Sequence, residues 1–213
     1  MYYENKIRGI IFDFDGVIVH SVQVKSDAFA DLYEGYGEKI VKKVVDHHER
    51  NGGMSRFEKF KYYSNNFLKK PISEKEINIL AKTFSKIVTK KVIESNYVEG
   101  AIEYIKKMHR SCPLFISTGT PTDEIKNILD ARGIRMLFNS VYGSPEKKDI
   151  HIDKILSLTK INHRKFIFFG DSNSDVEAAE KKSIPFILIK NNFNHHIQKY
   201  YKGKMISNFN DLL

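Results

Sequence analysis

The sequence predicts an open α/β fold carrying a helical insertion, and three observations lead there. Short, strongly apolar runs over residues 9–12, 113–117, 166–170 and 185–189 are separated in the second half by helical periodicity, the alternation of a parallel sheet and its crossover helices. The first run is cut off from the others by a succession of helical patterns between residues 22 and 95. Several of the runs also end in carboxylates, hydroxyls or lysine, at the position where open α/β sheets bind ligands.

The first element is the run Gly9, Ile10, Ile11, Phe12, which reads as a buried strand and ends on Asp13, Phe14, Asp15 and Gly16. Strand side chains alternate, so Asp13 and Asp15 project together while Phe14 turns to the core, and Gly16 permits a sharp exit. From Val22 the spacing becomes helical. Val24, Ala28, Phe29, Leu32 and Tyr33 share one face, and Gly35 and Gly37 stop that helix. Glu38 to Arg50 follows as a second helix along Ile40, Val41, Val44 and Val45. After the Asn51-Gly52-Gly53 break, Ser55 and Glu58 form the S-x-x-E signature of a third helix, and Ser73 with Glu76 repeats it for a long fourth. Beyond Tyr97, helices are expected over 100–110, 122–132, 150–158 and 174–182, with strands over 113–117, 137–142, 166–170 and 185–189. Strands this apolar are covered on both faces. The expected organisation is a core of residues 1–21 and 96–213, with a helical cap over 22–95 inserted after the first strand.

Composition narrows the class. At 213 residues, 41% hydrophobic and 29% charged, the chain resembles an ordinary globular protein, and no apolar run approaches the roughly 20 residues of a membrane span. The single Cys112 cannot close an internal disulfide, and the opening MYYENKIRG lacks the positive-then-apolar pattern of a leader, so a reducing cytoplasm is the expected setting. The net charge of +9 comes from lysines spread along the chain rather than blocked. That predicts a solvated basic surface rather than a nucleic-acid footprint, and no membrane partner.

The strand ends carry the chemistry. The first offers Asp13 and Asp15, the second Ser117, Thr118 and Gly119, the third is followed by Gly143 to Lys148, and the fourth by Asp171, Ser172, Asn173, Ser174 and Asp175. Clustered carboxylates are costly unless a cation neutralises them or one takes a proton, which points to Mg²⁺ or acid/base work. Carboxylates, hydroxyls and lysine at one sheet edge suit phosphoryl transfer, where metal and cationic donors offset phosphate charge.

DFDGV after an apolar strand, a strand ending in Ser117, a lysine before a helix, and GDSNSD after another strand resemble the four motifs of the haloacid dehalogenase superfamily. The insertion after the first motif is similar to the small cap of its phosphoglycolate phosphatase and β-phosphoglucomutase branch. The resemblance implies Asp13 as the nucleophile that becomes an aspartyl-phosphate, and Asp15 as the acid and base. It implies phosphate binding by Ser117 with the backbone N–H of Thr118 and the neighbouring Gly119, and Lys148, rather than Lys147, steadying Asp13. Mg²⁺ would be held by Asp13, the main-chain carbonyl of Asp15 and Asp171, with Asp175 ligating directly or orienting a metal-bound water. Arg56 would reach the substrate's non-reacting acidic group from the cap. The cap would close on hinges at residues 20–22 and 95–97. The implied activity is Mg²⁺-dependent hydrolysis of a small phosphorylated substrate, a sugar phosphate or a phosphoglycolate-like ester, by a monomer or homodimer. The sequence departs from the family pattern at His20, where an acidic residue is usual before Ser21, and at Asp149, where a proline usually follows the lysine. A phosphomutase would use the same residues, and a non-enzymatic anion- or nucleic-acid-binding protein is the reading from another class. The full acidic set argues against the latter, because a binder has no use for it.

Overall fold

The computed structural model describes residues 7–213, so the first six of the nine opening residues on which the leader expectation rests lie outside the described residues. Strand β1 (Gly9–Phe12) leads into four helices, α1 (Val22–Tyr33), α2 (Glu38–Arg50), α3 (Arg56–Tyr63) and α4 (Glu74–Glu94). Then come α5 (Ala101–Met108), β2 (Leu114–Pro121), α6 (Thr122–Ala131), β3 (Ser140–Ser144), α7 (Lys148–Thr159), β4 (Phe166–Gly170), α8 (Asn173–Lys181), β5 (Phe186–Ile189), α9 (His195–Tyr200) and β6 (Lys204–Ile206). The six strands form one parallel sheet in the order β3-β2-β1-β4-β5-β6. The α/β class and the helical insertion after the first strand are as the sequence predicts. Among the described residues no helix is long and apolar enough to cross a membrane.

β1 sits at the centre, and its alternation sorts the core into two layers. Ile10 and Phe12 face a cluster with Phe169, Tyr104 and Phe209, in which the Phe12 and Phe169 rings stack at 5.3 Å. Ile11 faces the opposite layer with Phe115, Phe168, Ile152 and Ala178, beneath α7 and α8. Asp13 continues the phase of Ile11, and Phe14 is buried in the first layer. A different aromatic group centres the insertion, where the Phe29 ring contacts His48, Phe60, Tyr63 and Phe84.

Where elements differ from expectation, local chemistry explains it. Gly37 (φ +85°), rather than Gly35, turns the chain after α1, because residues 34–36 continue as a 3₁₀ turn. A second 3₁₀ turn at Arg135–Leu137 delays β3 to Ser140, and α7 begins at Lys148 itself, with Lys147 as its N-cap. The Ser73–Glu76 capping box is complete. At Ser55 the side chain accepts from the Glu58 N–H, which is the forward half of the motif. α9 and β6 were not anticipated; each is short, and each buries a single residue, Ile197 and Ile206.

The two passages between core and insertion lie side by side. His20 N–H donates to the Asn96 carbonyl, and Val98 N–H donates to that of Ile18. Arg132, which follows α6, places its guanidinium over the Tyr97 ring and donates to the carbonyls of Val92, Ile93 and Ser95 at the end of α4. Arginine at a helix C-terminus satisfies carbonyls the helix leaves open.

Candidate active site

The carboxyl ends of β1, β2 and β4 open into a cavity of about 70 Å³ whose roof is the helical insertion. Asp13, Asp15, Thr118, Gly119, Thr120 and Asp171 form its floor. Lys25, His48, Arg56 and Lys59 line it from the insertion.

Three carboxylates meet at the floor. Ligand atoms of Asp13, Asp171 and Asp175 lie within 4.8 Å of one another, and all three residues are buried. Lys148 bridges two of them, with Nζ 2.7 Å from Asp13 Oδ2 and 2.5 Å from Asp175 Oδ1. The other oxygen of Asp175 is occupied as well: Oδ2 accepts from Ser172 Oγ at 2.5 Å and from the N–H groups of Ser172 and Asp171. This shapes the loop after β4, and it leaves Asp175 turned toward Lys148. Among the described residues the Asp171 carboxylate accepts a hydrogen bond only from Asn191 Nδ2, at 2.7 Å on Oδ2.

Electrostatics show what the cluster lacks. Burial, offset in part by Lys148 and reinforced by Asp175 and Asp15, pushes the Asp13 carboxyl up to about 7. Burial, then Asp13 and Asp175, push Asp171 well above the ordinary carboxylate range. One lysine therefore does not balance three buried carboxylates, and a divalent cation would. The backbone leaves room there. Gly16 adopts φ +76°, and a Cβ at that position would overlap Asp171 Oδ2. The donor set, hard oxygens at close quarters, fits Mg²⁺.

Asp15 is held differently. Ser21 Oγ donates to its Oδ1 at 2.6 Å, while Lys25 Nζ and Thr120 Oγ1 both donate to Oδ2, the latter at 3.0 Å. Lys25 also donates to Thr120 at 2.8 Å. Burial raises the Asp15 pKa, but the Lys25 charge and these hydrogen bonds outweigh it and hold the carboxyl below its ordinary value.

Two predicted residues sit elsewhere than expected. Ser117 does not line the cavity. β2 continues to Pro121, so Ser117 shares the face of Phe115, and its hydroxyl meets His151 Nδ1 of α7 at 2.9 Å. Its neighbour Thr118, on the opposite phase, lines the cavity with Gly119. Arg56 lines the wall, but its two terminal nitrogens are committed to Glu124 of α6, at 2.8 and 2.7 Å, and one also donates to Ser85. The guanidinium and the carboxylate are 4% and 9% exposed, so the pair is a nearly dry clamp between insertion and core.

Residues that sequence reasoning missed complete the picture. Lys25 lies one helical turn beyond Ser21, a spacing that puts both beside Asp15. Asn191 and Asn194 follow β5, a further strand end. Asn194 Nδ2 donates to the carbonyls of Asp171 and Ile189, which ties that loop to the cluster. The Gly52-Gly53 turn presses onto the floor: a Cβ on Gly53 (φ +74°) would overlap Ser172 and Ser174 Oγ and lie 3.1 Å from Lys148 Nζ. A Cβ on Gly119 would come within 2.6 Å of the Gly53 carbonyl oxygen. Only glycine permits an approach this close.

Comparison with known proteins agrees with this geometry. The sequence profile of the family "Haloacid dehalogenase-like hydrolase" matches residues 10–189. The chain is 26% identical over 189 residues to a phosphorylated carbohydrates phosphatase of Thermotoga maritima, covering 84% of this chain and 82% of that protein. It is 25% identical over 216 residues to a phosphoglycolate phosphatase of Shigella boydii, covering 89% and 83%. The structure of a β-phosphoglucomutase from Clostridium difficile shares the fold, with a TM-score of 0.76 at 20% identity over 97% of this chain and 93% of that one.

Proposed function

We propose that this chain, which belongs to the haloacid dehalogenase-like hydrolase family, hydrolyses a small phosphorylated metabolite through an aspartyl-phosphate on Asp13. The observation that carries the reading is the buried Asp13, Asp171 and Asp175 cluster, braced by Lys148 at the sheet's carboxyl edge and facing Thr118 across one cavity. Phosphorylated carbohydrates and phosphoglycolate, named for the two curated relatives, set the substrate range. A cavity of about 70 Å³ roofed by the helical insertion suits a small ester rather than a polymer.

Each residue has a task in this account. Mg²⁺, held by Asp13, Asp171 and the main-chain carbonyl of Asp15, would neutralise the floor and polarise the phosphoryl oxygens. Lys148 orients Asp13, and a carboxylate oxygen of Asp13 attacks phosphorus while the bond to the leaving oxygen breaks. Thr118 and the N–H groups beside Gly119 receive the phosphoryl oxygens, the task the sequence assigned to Ser117. Asp15 gives its proton to the leaving oxygen, then takes one from the water that cleaves the Asp13–phosphorus bond. Held low by Lys25, Ser21 and Thr120, Asp15 is a base in the arrangement described here. An arriving phosphate dianion beside it raises its pKa and readies it as the acid. Asp175 positions Lys148 and the β4 loop, and residues 22–95 serve as the lid that keeps bulk water from the acyl phosphate.

A panel of phosphorylated metabolites assayed with Mg²⁺ for released phosphate tests the proposal. Turnover of at least one ester, lost on chelation and lost in Asp13→Asn, is expected. Metal-independent turnover, or full activity in Asp13→Asn, rules it out.

A further inference from the structure

The roof of the cavity holds a cation that the reaction does not use. Lys59, on α3, is 2% exposed and lines the same cavity as Asp13. Its Nζ has no carboxylate within salt-bridge distance among the described residues. It meets His48 Nδ1 at 2.7 Å and, more distantly, the His48 carbonyl at 3.4 Å, and it lies 5.6 Å from the centre of the Phe29 ring. Three neighbouring cations, by contrast, each have a carboxylate partner: Lys25 has Asp15, Arg56 has Glu124, and Lys148 has Asp13 and Asp175. His48 is itself 6% exposed. With Nδ1 accepting from the ammonium, the ring proton sits on Nε2, and that buried donor has no partner. The one carboxylate contributed to the cavity wall by α2 is Glu49, which accepts from Ser26.

A buried lysine facing an imidazole rather than a carboxylate is costly, and so is an orphaned N–H beside it. Both residues line the cavity, so an anion that enters it and meets them would offset both costs. We propose that Lys59 and the Nε2–H of His48 form a subsite for a second anionic group of the substrate, so that the preferred ester carries an acid a few bonds from its reacting phosphate. The inference rests on the phosphatase reading and deepens it, because it selects acidic phosphomonoesters over neutral sugar phosphates. The electrostatics agree: burial first, then the charge of Lys25, hold the Lys59 ammonium well below the usual lysine range, which an incoming anion would reverse. Burial and Lys59 likewise hold His48 below the usual histidine range, in the neutral form that the hydrogen bond requires.

The test compares esters that differ only at the far end: 2-phosphoglycolate, ethane-1,2-diol bisphosphate and ethyl phosphate. In the wild-type protein kcat/KM should favour at least one diacid over ethyl phosphate by tenfold or more, and whether the carboxylate or the second phosphate benefits identifies the acid. In Lys59→Met the ratio should fall toward one, through KM for the diacid, and Lys59→Arg should restore part of it. A wild-type ratio near one overturns the proposal without any variant, as does a ratio that survives in Lys59→Met or in its replacement Lys59→Gln. If neither these three esters nor any member of the wider metabolite panel is turned over, the phosphatase reading fails instead. Calorimetric binding of the same three compounds to the wild-type protein then decides the subsite alone: at least tenfold tighter binding of a diacid supports it, and equal or absent binding overturns it.

Discussion

The floor and the roof of the cavity solve opposite electrostatic problems. The floor gathers Asp13, Asp171 and Asp175 with one bridging lysine, and two of those carboxyls are pushed upward because negative charge is in excess. The roof gathers Lys59 and His48 with no carboxylate between them, and both are pushed downward by burial and by neighbouring positive charge. On the proposed reading a phosphate ester with its metal would fit between, the metal satisfying the floor and a distal acid the roof. The contrast teaches where each property is built. In the proposed account, bond breaking would belong to loops fixed by a parallel sheet, and selection to the helices packed over them.

Breaking the floor should have the largest effect. Asp13→Asn keeps the volume and removes the nucleophilic charge, so turnover should drop by more than about a thousandfold while circular dichroism and melting remain near wild type. Breaking the clamp comes next. Arg56→Ala leaves Glu124 buried without its partner, which costs about 3–5 kcal/mol of stability in a denaturant titration. Glu124→Gln in the Arg56→Ala background should recover part of it. A selective rise in KM with unchanged stability would instead return Arg56 to the substrate.

The metal sharpens the comparison further. Asp171→Ala should lower Mg²⁺ affinity by about a hundredfold and Asp175→Ala by less, because both Asp175 oxygens are already occupied by Lys148 and the β4 loop. Metal-free protein should also lose stability as pH rises from about 4 to 7. Over that span the folded Asp13 keeps a proton that the unfolded chain has released, so unfolding is favoured as pH climbs through the raised value of about 7. Saturating Mg²⁺ should flatten the slope. A slope that persists with metal would place the ion elsewhere.

The smallest effects separate neighbours on β2. Ser117→Ala should cost about 1–3 kcal/mol of stability, through the lost partner of His151, with kcat little changed. Thr118→Val should do the reverse and lower kcat/KM by about tenfold or more with melting nearly constant. If the two variants exchange behaviour, the strand register at the site is wrong.

That pair also shows what the sequence could and could not reveal. Asp13 and Asp15 were legible because an uninterrupted apolar strand stops on them, and the alternation rule then gives their direction. Ser117 misled for the same reason, since it is the first polar residue after PLFI. The strand continues past it to Pro121, and a shift of one residue reverses the face. Lys148 was legible as the lysine before a helix, although it is already the helix's first residue. Lys59 and His48 left no signal, because they come from helices on either side of a glycine break and meet only when α2 and α3 pack. The same holds for Arg56 and Glu124, separated by most of the insertion. Sequence periodicity finds elements, whereas contacts between inserted helices and the core are set by tertiary packing.

The most direct test of Asp13 as the point of covalent attachment is chemical trapping. The protein is mixed with Mg²⁺ and its best ester, quenched in acid during turnover, reduced with borohydride and mapped by peptide mass spectrometry. The account predicts conversion of residue 13 to homoserine, absent without substrate and absent in Asp13→Asn. Steady turnover in the same sample with no reduced residue, or reduction at a different carboxylate, would contradict it.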